Sequence, residues 1–362
     1  MSSGLTKPQS SAINYIREYA RTRKRDTLET IKNILQMSNI SQKYFDDSIS
    51  EIKARMRVAL HFHPDRLDPD MKTVAEALFE SGFYKSQFET LLSSGSVSAH
   101  PGGARDLWEK KLFGNAYNSD NSQRPKYGSL DLMCHPDGPS PRFGSCYFLL
   151  KAEVSKRCTF TYMDSHLDPD EKGVFDEFDI ILAALLTDSF SDEIVLGEPH
   201  LRPPQLLQHL LYVINQSFSE RLNKPHRRIL DHYIEAQIHG DISLSQDVDA
   251  LVADPSFKDS APGACLLDIG RKFGIDIHWH AGFAMPPEDV PADFRGASMP
   301  FLAKRVAPNG ALDARKIGEA AASLRKNFSA WADIGNEKDV LEKLRHLWHI
   351  LLRFGEPIQS LK

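Results

Sequence analysis

The segment Tyr233-Ile234-Glu235-Ala236-Gln237-Ile238-His239-Gly240 is the strongest constraint on how this chain can fold. Apolar and polar residues alternate with period two, which is the pattern of a β-strand with one face turned to a core. Ile234, Ala236 and Ile238 point one way; Tyr233, Glu235, Gln237 and His239 point the other, and Gly240 ends the run. Two placements satisfy the pattern. One is an edge strand with a solvated polar face. The other is the wall of a site that presents a phenol, a carboxylate, an amide and an imidazole in a row. The surrounding chain has to distinguish them.

The whole chain has 362 residues, enough for two or three domains or for one large domain with additions. Its 41% hydrophobic and 26% charged residues are those of a soluble globular protein. A net charge of -5 leaves no cationic excess to neutralise phosphates, so a dedicated nucleic-acid binder is not expected. Cys134, Cys146, Cys158 and Cys265 have no CxxC spacing, which argues against a disulfide framework or a zinc knuckle and for a reducing compartment. No apolar run is long enough to span a bilayer, and residues 1–11 lack the apolar region of a Sec-type signal peptide. Their Ser-rich composition suits a flexible tail, drawn here over residues 1–20, and suits a type III secretion signal.

Residues 12–59 read as helical, with apolar patterns at Ile13, Tyr15 and Ile16 and at Leu28, Ile31, Ile34 and Leu35. Pro64 limits any helix near it. A helix is predicted over Met71–Leu92 with a stop at Gly95, and a short one over 105–118, followed by a polar loop over 118–124. Strands are predicted at Gly128–Cys134, Ser145–Val154 and Arg157–Met163, the first two joined by a Pro-rich turn. Residues 166–230 read as one or two helices interrupting the strand series, hence as an insertion. Ser245 is a candidate N-cap. Asp276–His280 is a further strand candidate, and Ala311–Ile350 reads as two helices whose Leu341, Leu344, Leu347 and Leu351 form a core stripe.

Three constellations carry chemistry. His61-x-His63, with His278-x-His280, would suit a metal-dependent hydrolase, because two imidazoles on one strand face are a common metal entry point. His63-Pro64-Asp65 after a basic apolar segment resembles the HPD loop of a J-domain co-chaperone, a non-enzymatic binding module. The third reading is glycosyl transfer from a pyridine nucleotide. It needs a cation or imidazole for the ribose or phosphates, a pocket for nicotinamide, a carboxylate for the transition-state charge and a group to position the acceptor. His61, His63 and Arg66 suit the first; Tyr127-Gly128 and Phe143-Gly144-Ser145 suit the second. Glu235 suits the third, and Asp164 or Asp231 the fourth.

Several segments together resemble a bacterial effector family of ADP-ribosyltransferases that modify a threonine of host ubiquitin. They are Gly82–Thr90, Pro101-Gly102-Gly103, Trp108-Glu109, Leu112–Tyr117, Arg124–Leu130, Pro141–Cys146, Thr159–Ser165, Tyr233–Gly240 and Trp279–Phe283. The resemblance implies an α+β fold: a PARP-like ADP-ribosyltransferase split β-sheet core with N-terminal helices, a helical insertion and C-terminal helices. The corresponding divisions are N-terminal helices over 21–55, a catalytic domain over 56–300 containing the 166–230 insertion as a target-recognition segment, and C-terminal helices over 301–362.

The resemblance also implies NAD+ as co-substrate and no metal. It makes Glu235 the catalytic glutamate, with Asp164 or Asp231 as its partner. His61, His63, Arg66, Tyr127, Gly128, Gly144, Ser145, Tyr147, Ser165, Gln237 and His239 become the candidate NAD+ contacts, with Tyr147 at the nicotinamide-stacking position. Tyr233 stands where arginine-modifying transferases carry an acidic residue or glutamine, which turns the expectation toward a hydroxyl acceptor. The implied protein is a monomeric secreted effector acting on ubiquitin in the host cytosol, with the bacterial cytoplasm as the alternative location, and it binds neither nucleic acid nor membrane.

Overall fold

The computed structural model describes residues 4–92, 99–117, 120–191, 194–228 and 230–361. The expected stop at Gly95, the first residues of the tail and the start of the 118–124 loop lie outside them. The fold is mixed α+β around one large mixed sheet. Its strands are β1 (Val58–Phe62), β2 (Lys126–Leu130), β3 (Cys146–Leu150), β4 (Cys158–Tyr162), β5 (Lys172–Val174), β6 (Ile234–Ile238), β7 (Val248–Ala253) and β8 (Asp276–Trp279). They lie in the order β8-β7-β3-β1-β2-β6-β4-β5. The β7–β8 pair is parallel and the other neighbours are antiparallel.

The Tyr233–Gly240 segment is therefore not at an edge. Its strand β6 is paired on both sides, to β2 and to β4, and all five of its residues are buried. Ile234, Ala236 and Ile238 face the main core, as the alternation predicts. The ladder between β1 and β2 is short: it holds Val58↔Leu130 and Ala59↔Ser129, and pairing stops there. At that end the Tyr84 hydroxyl donates to the His61 carbonyl across 3.3 Å.

The helices of eight residues or more are α1 (Lys7–Met37), α2 (Gln42–Arg55), α3 (Val74–Ser81), α4 (Ala104–Leu112), α5 (Asp179–Ser191), α6 (Pro203–Val213), α7 (Ala261–Phe273), α8 (Met299–Val306), α9 (Ala314–Lys326) and α10 (Glu337–Phe354). A capping box starts α1, with Thr6 and Gln9 satisfying each other's backbone N–H groups. Residues 7–20 are thus the first half of a 31-residue helix rather than a tail. Ile13, Ile16, Ala20, Ile31 and Ile34 form its buried stripe, whereas Tyr15 and Leu28 of the expected apolar pattern are exposed.

The 166–230 segment is not an insertion hung outside the core. It supplies the edge strand β5 and the helix α5, whose Ile181, Leu182, Leu185 and Leu186 are buried against the sheet. A helix that is apolar nearly all round has no face to give to water. Met71–Leu92 is two short helical pieces rather than one helix, α3 and Gln87–Thr90, because Gly82 takes a left-handed conformation between them. Near residue 245 the N-cap position falls at Ser243 rather than Ser245, and the turn leads straight into β7. Residues 301–361 do not form a separate layer either. Leu344, Leu347 and Leu351 of α10 share one core with Leu60, Phe148 and Phe160 of the sheet, with Leu341 packed at its margin.

Candidate active site

Sheet register builds the site. Ser129, Glu235 and Thr161 lie side by side on β2, β6 and β4, and Tyr127, Gln237 and Thr159 form the next row on the same face. Helix α4 contributes Arg105, Trp108 and Glu109 to this polar cluster, since spacings of three and four residues share one helix face.

Glu235 is 5% exposed. Its Oε1 accepts from the Ser165 hydroxyl at 2.5 Å and from Gln237 Nε2 at 2.8 Å, while Oε2 takes no hydrogen bond from the described residues. Burial pushes its carboxyl up to about 7; the neighbouring Asp164 charge adds to the rise, and the Ser165 and Gln237 hydrogen bonds and Arg105 oppose it. Asp164 caps the turn Ser165–Leu167 by accepting from the His166 N–H, so one turn places both Asp164 and Ser165 at Glu235.

Behind Glu235 the hydrogen bonds run one way. The Tyr117 hydroxyl meets His239 Nδ1 at 2.5 Å, His239 Nε2 meets Thr159 Oγ1 at 3.1 Å, and Thr159 Oγ1 donates to Gln237 Oε1 at 2.7 Å. Gln237 then donates to Glu235. Since Thr159 gives its proton to Gln237, His239 donates from Nε2 and accepts from Tyr117 at Nδ1. Burial, then the nearby Arg157 and Lys126 charges, depress His239 to about 3, which keeps it neutral in this role. Aligned donors of this kind polarise one another. Gln237 and His239 are wholly buried, so they orient Glu235 instead of touching a ligand as expected.

Tyr127 is half-buried and donates to Glu109 Oε1 at 2.9 Å. Glu109 Oε2 accepts from Arg124 at 2.9 Å, and Arg124 also pairs with Asp106. Burial raises the Glu109 carboxyl, against the lowering effects of Arg124, Arg105 and Tyr127. Arg105 is the residue that sequence reasoning missed. Its guanidinium lies 4.6 Å from the Trp108 ring centre and 5.0 Å from that of Tyr127, and its charge helps to hold Glu235 ionised. The available signal was the Arg105/Trp108/Glu109 spacing on one short helix.

A cavity of about 370 Å³ opens where β1 and β2 stop pairing, lined by Phe62, His63, Arg66, Tyr84, Lys126 and Tyr127 among others. His63 and Arg66, two of the candidate contacts, line it. The Arg66 guanidinium makes no ion pair with the described residues, and burial, then the Arg325 charge, lowers its pKa to about 10. Tyr127 belongs to both places. Glu235 is one same-face step along the sheet from the Tyr127 row, roughly 7 Å.

The other predicted contacts are elsewhere. His61 donates from Nδ1 to the Gly144 carbonyl at 3.0 Å and accepts the Ser140 N–H at Nε2. Both its nitrogens are used, and burial depresses it to about 3. Tyr147 is 1% exposed and bonds the Pro136 carbonyl, so no ligand can stack on it without rearrangement. Gly128 and Gly144 serve the backbone: a Cβ would lie 2.5 Å from the Ala59 oxygen at Gly128 and 2.3 Å from the Phe62 backbone at Gly144. Ser145 is buried with its hydroxyl 3.4 Å from His63 Nδ1, a link to the cavity wall. Asp231 is exposed and paired with Arg142, which leaves Asp164 as the aspartate beside Glu235.

The hydrolase and co-chaperone arrangements are not assembled. His280 bonds the Ser145 carbonyl and the Gly282 N–H, and His278 stacks on Phe218 at 4.3 Å. No group of three or more histidine, cysteine or acidic side chains able to hold a metal ion occurs among the described residues. His63-Pro64-Asp65 follows a strand rather than joining two helices of a hairpin. No helix among the described residues is long and apolar enough to cross a membrane.

A family match spans residues 57–354, taking in every strand of the sheet and the C-terminal helices through α10. The chain belongs to the DUF3626 family. The family is described as proteins of unknown function, and among curated proteins none matches at a significant level. DUF3626 membership thus places the polar row, the α4 cluster and the cavity within the family's own span, while α1 and α2 precede it.

Proposed function

We propose that this DUF3626 protein is an NAD-dependent mono-ADP-ribosyltransferase that modifies a protein hydroxyl. The observation that carries the reading is Glu235: a buried carboxylate on the central strand, held at one oxygen by Ser165 and Gln237, with its second oxygen taking no hydrogen bond from the described residues and Asp164 beside it. The short β1–β2 ladder with a cavity at its open end suits a PARP-like split sheet.

The residues present fit a dinucleotide. Arg66 offers phosphate a cation with no ion pair among the described residues, Tyr127 an aromatic face, and His63 a neutral imidazole, depressed to about 3 by burial. NAD would supply an ADP-ribosyl group on a cleavable nicotinamide bond. Glu235, ionised, accepts a ribose hydroxyl through Oε2 and stabilises the positive charge developing on the sugar. The hydrogen-bond chain from Tyr117 fixes its orientation, so no reorganisation is needed as charge develops. Asp164, half-buried at the rim, accepts the proton of the incoming hydroxyl. Tyr233 leaves no acidic side chain two positions before Glu235, which favours a hydroxyl over a guanidinium acceptor. The sequence resemblance makes a ubiquitin threonine the first acceptor to test, and a secreted effector in a host cytosol the setting.

The test incubates the full chain with labelled NAD+, a eukaryotic lysate and, separately, purified ubiquitin. Label on a protein, abolished by Glu235→Gln, is the expected result. Absence of both protein label and nicotinamide release would sink the reading.

A further inference from the structure

The buried face of α4 carries donors that the protein itself leaves unused. Arg105 is 5% exposed, yet its Nε and Nη1 are buried without a hydrogen-bond partner among the described residues, and so is the indole Nε1 of Trp108. Leaving buried donors unpaired is costly, and more so for a charged group.

The nearby acids do not relieve them. Glu109 Oε1 accepts from Tyr127 and Oε2 from Arg124; Asp106 is taken by Arg124, Lys110 and the Gly102 N–H; Glu235 Oε1 is taken by Ser165 and Gln237, and its Oε2, though free of other described residues, makes no bond to these donors. Meanwhile the guanidinium plane is steadied by two rings, Trp108 and Tyr127, whose centres are 5.5 Å apart. A cation held by aromatic faces, with N–H donors and no acceptor of its own, selects a partner that brings negative charge and acceptor oxygens.

We infer that Arg105 and Trp108 form an oxyanion subsite beside Glu235 that takes a phosphate group. The identity of that phosphate as part of NAD rests on the transferase reading; the subsite itself does not. Arg105 would then act twice, gripping the phosphate and offsetting the Glu235 charge.

The experiment follows indole 15N–1H resonances of the full chain, whose four tryptophans give few peaks, with the Trp108 peak assigned by its loss in Trp108→Phe. NAD+ and inorganic pyrophosphate are titrated separately, and NAD+ affinity is measured by calorimetry for wild type and Arg105→Gln. The expected result is a Trp108 shift with both ligands and at least tenfold weaker NAD+ binding in Arg105→Gln. Should that variant lose its dispersed indole peaks, Arg105→Lys replaces it, with a severalfold weakening expected. NAD+ binding with an unmoved Trp108 peak and unchanged affinity in the variant overturns the subsite and leaves the transferase reading intact. A Trp108 shift with pyrophosphate but no NAD+ binding upholds the subsite and removes the transferase reading. No shift with either ligand overturns the subsite.

Discussion

Glu235 is held near the midpoint of its titration, and this makes its charge measurable. Under the proposed transfer reaction the carboxylate is the working form, so transfer activity should rise with pH through about 7. Asp164 contributes to that elevation, so Asp164→Asn should move the acid limb of the pH–rate profile to lower pH. The same variant should lose transfer to protein more than it loses NAD+ hydrolysis, since water needs no positioned base as much as a bound hydroxyl does. An unmoved acid limb would separate Asp164 from Glu235.

Stability runs opposite to activity. A carboxyl raised by folding contributes stability that is full below the ordinary carboxylate range and is lost as pH rises through about 7. Glu235→Gln should therefore cost on the order of a hundredfold or more in rate. It should also gain roughly 1–3 kcal/mol of stability over wild type at pH 8, with little gain at pH 5; thermal melts at the two pH values check this. Glu235 was legible in the sequence because strand alternation assigns it a face. Arg105 was not, because an isolated arginine on a helix ordinarily reaches water. His61 and Tyr147 misled because the face they share with the site is covered there by the Pro136–Gly144 loop, which no local pattern announces.

At the scale of elements, the predicted strands were found within a few residues of their predicted ends, since turn residues bound them on both sides. β7 was not foreseen: Val248–Ala253 has little alternation because five of its six residues are buried. Helix α5 was foreseen as a helix and misplaced as an insertion, because apolarity fixes burial but not the partner. Glycine was read as room for a ligand at 144, where it is room for a strand. Gly144→Ala would drive its Cβ into the Phe62 backbone, which is less able to yield than a side chain. The expected loss is about 1–3 kcal/mol or somewhat more, read as a lower denaturation midpoint. A neutral substitution would mean that the Gly144–Phe62 approach is looser than described.

Across the whole molecule, the C-terminal helices are part of the sheet's core. Trp348 is 1% exposed, donates to the Pro141 carbonyl at 3.0 Å and meets His63 edge-on at 5.4 Å. Trp348→Ala should cost about 3–5 kcal/mol and should disturb the cavity wall along with the fold. A chain ending at residue 300 should show no cooperative melting transition; a sharp one near the wild-type temperature would contradict the shared core. The sequence showed the Leu341–Leu351 stripe as core without showing whose core it was, since a helix face names no partner. Five imidazoles, the buried His61, His135 and His239 and the half-buried His63 and His226, are each depressed to about 3, so stability should fall as pH drops from about 6.5 toward 3. The end of the sheet where β1 and β2 part has a different consequence. There a phenol, Tyr84, bonds the His61 carbonyl in place of a neighbouring strand. A ladder has to unzip as a unit, but a side chain can exchange its one bond for another by turning about a single torsion. Turning Tyr84 away from that end thus breaks one hydrogen bond, on the order of 1 kcal/mol, while the rest of the sheet keeps its register.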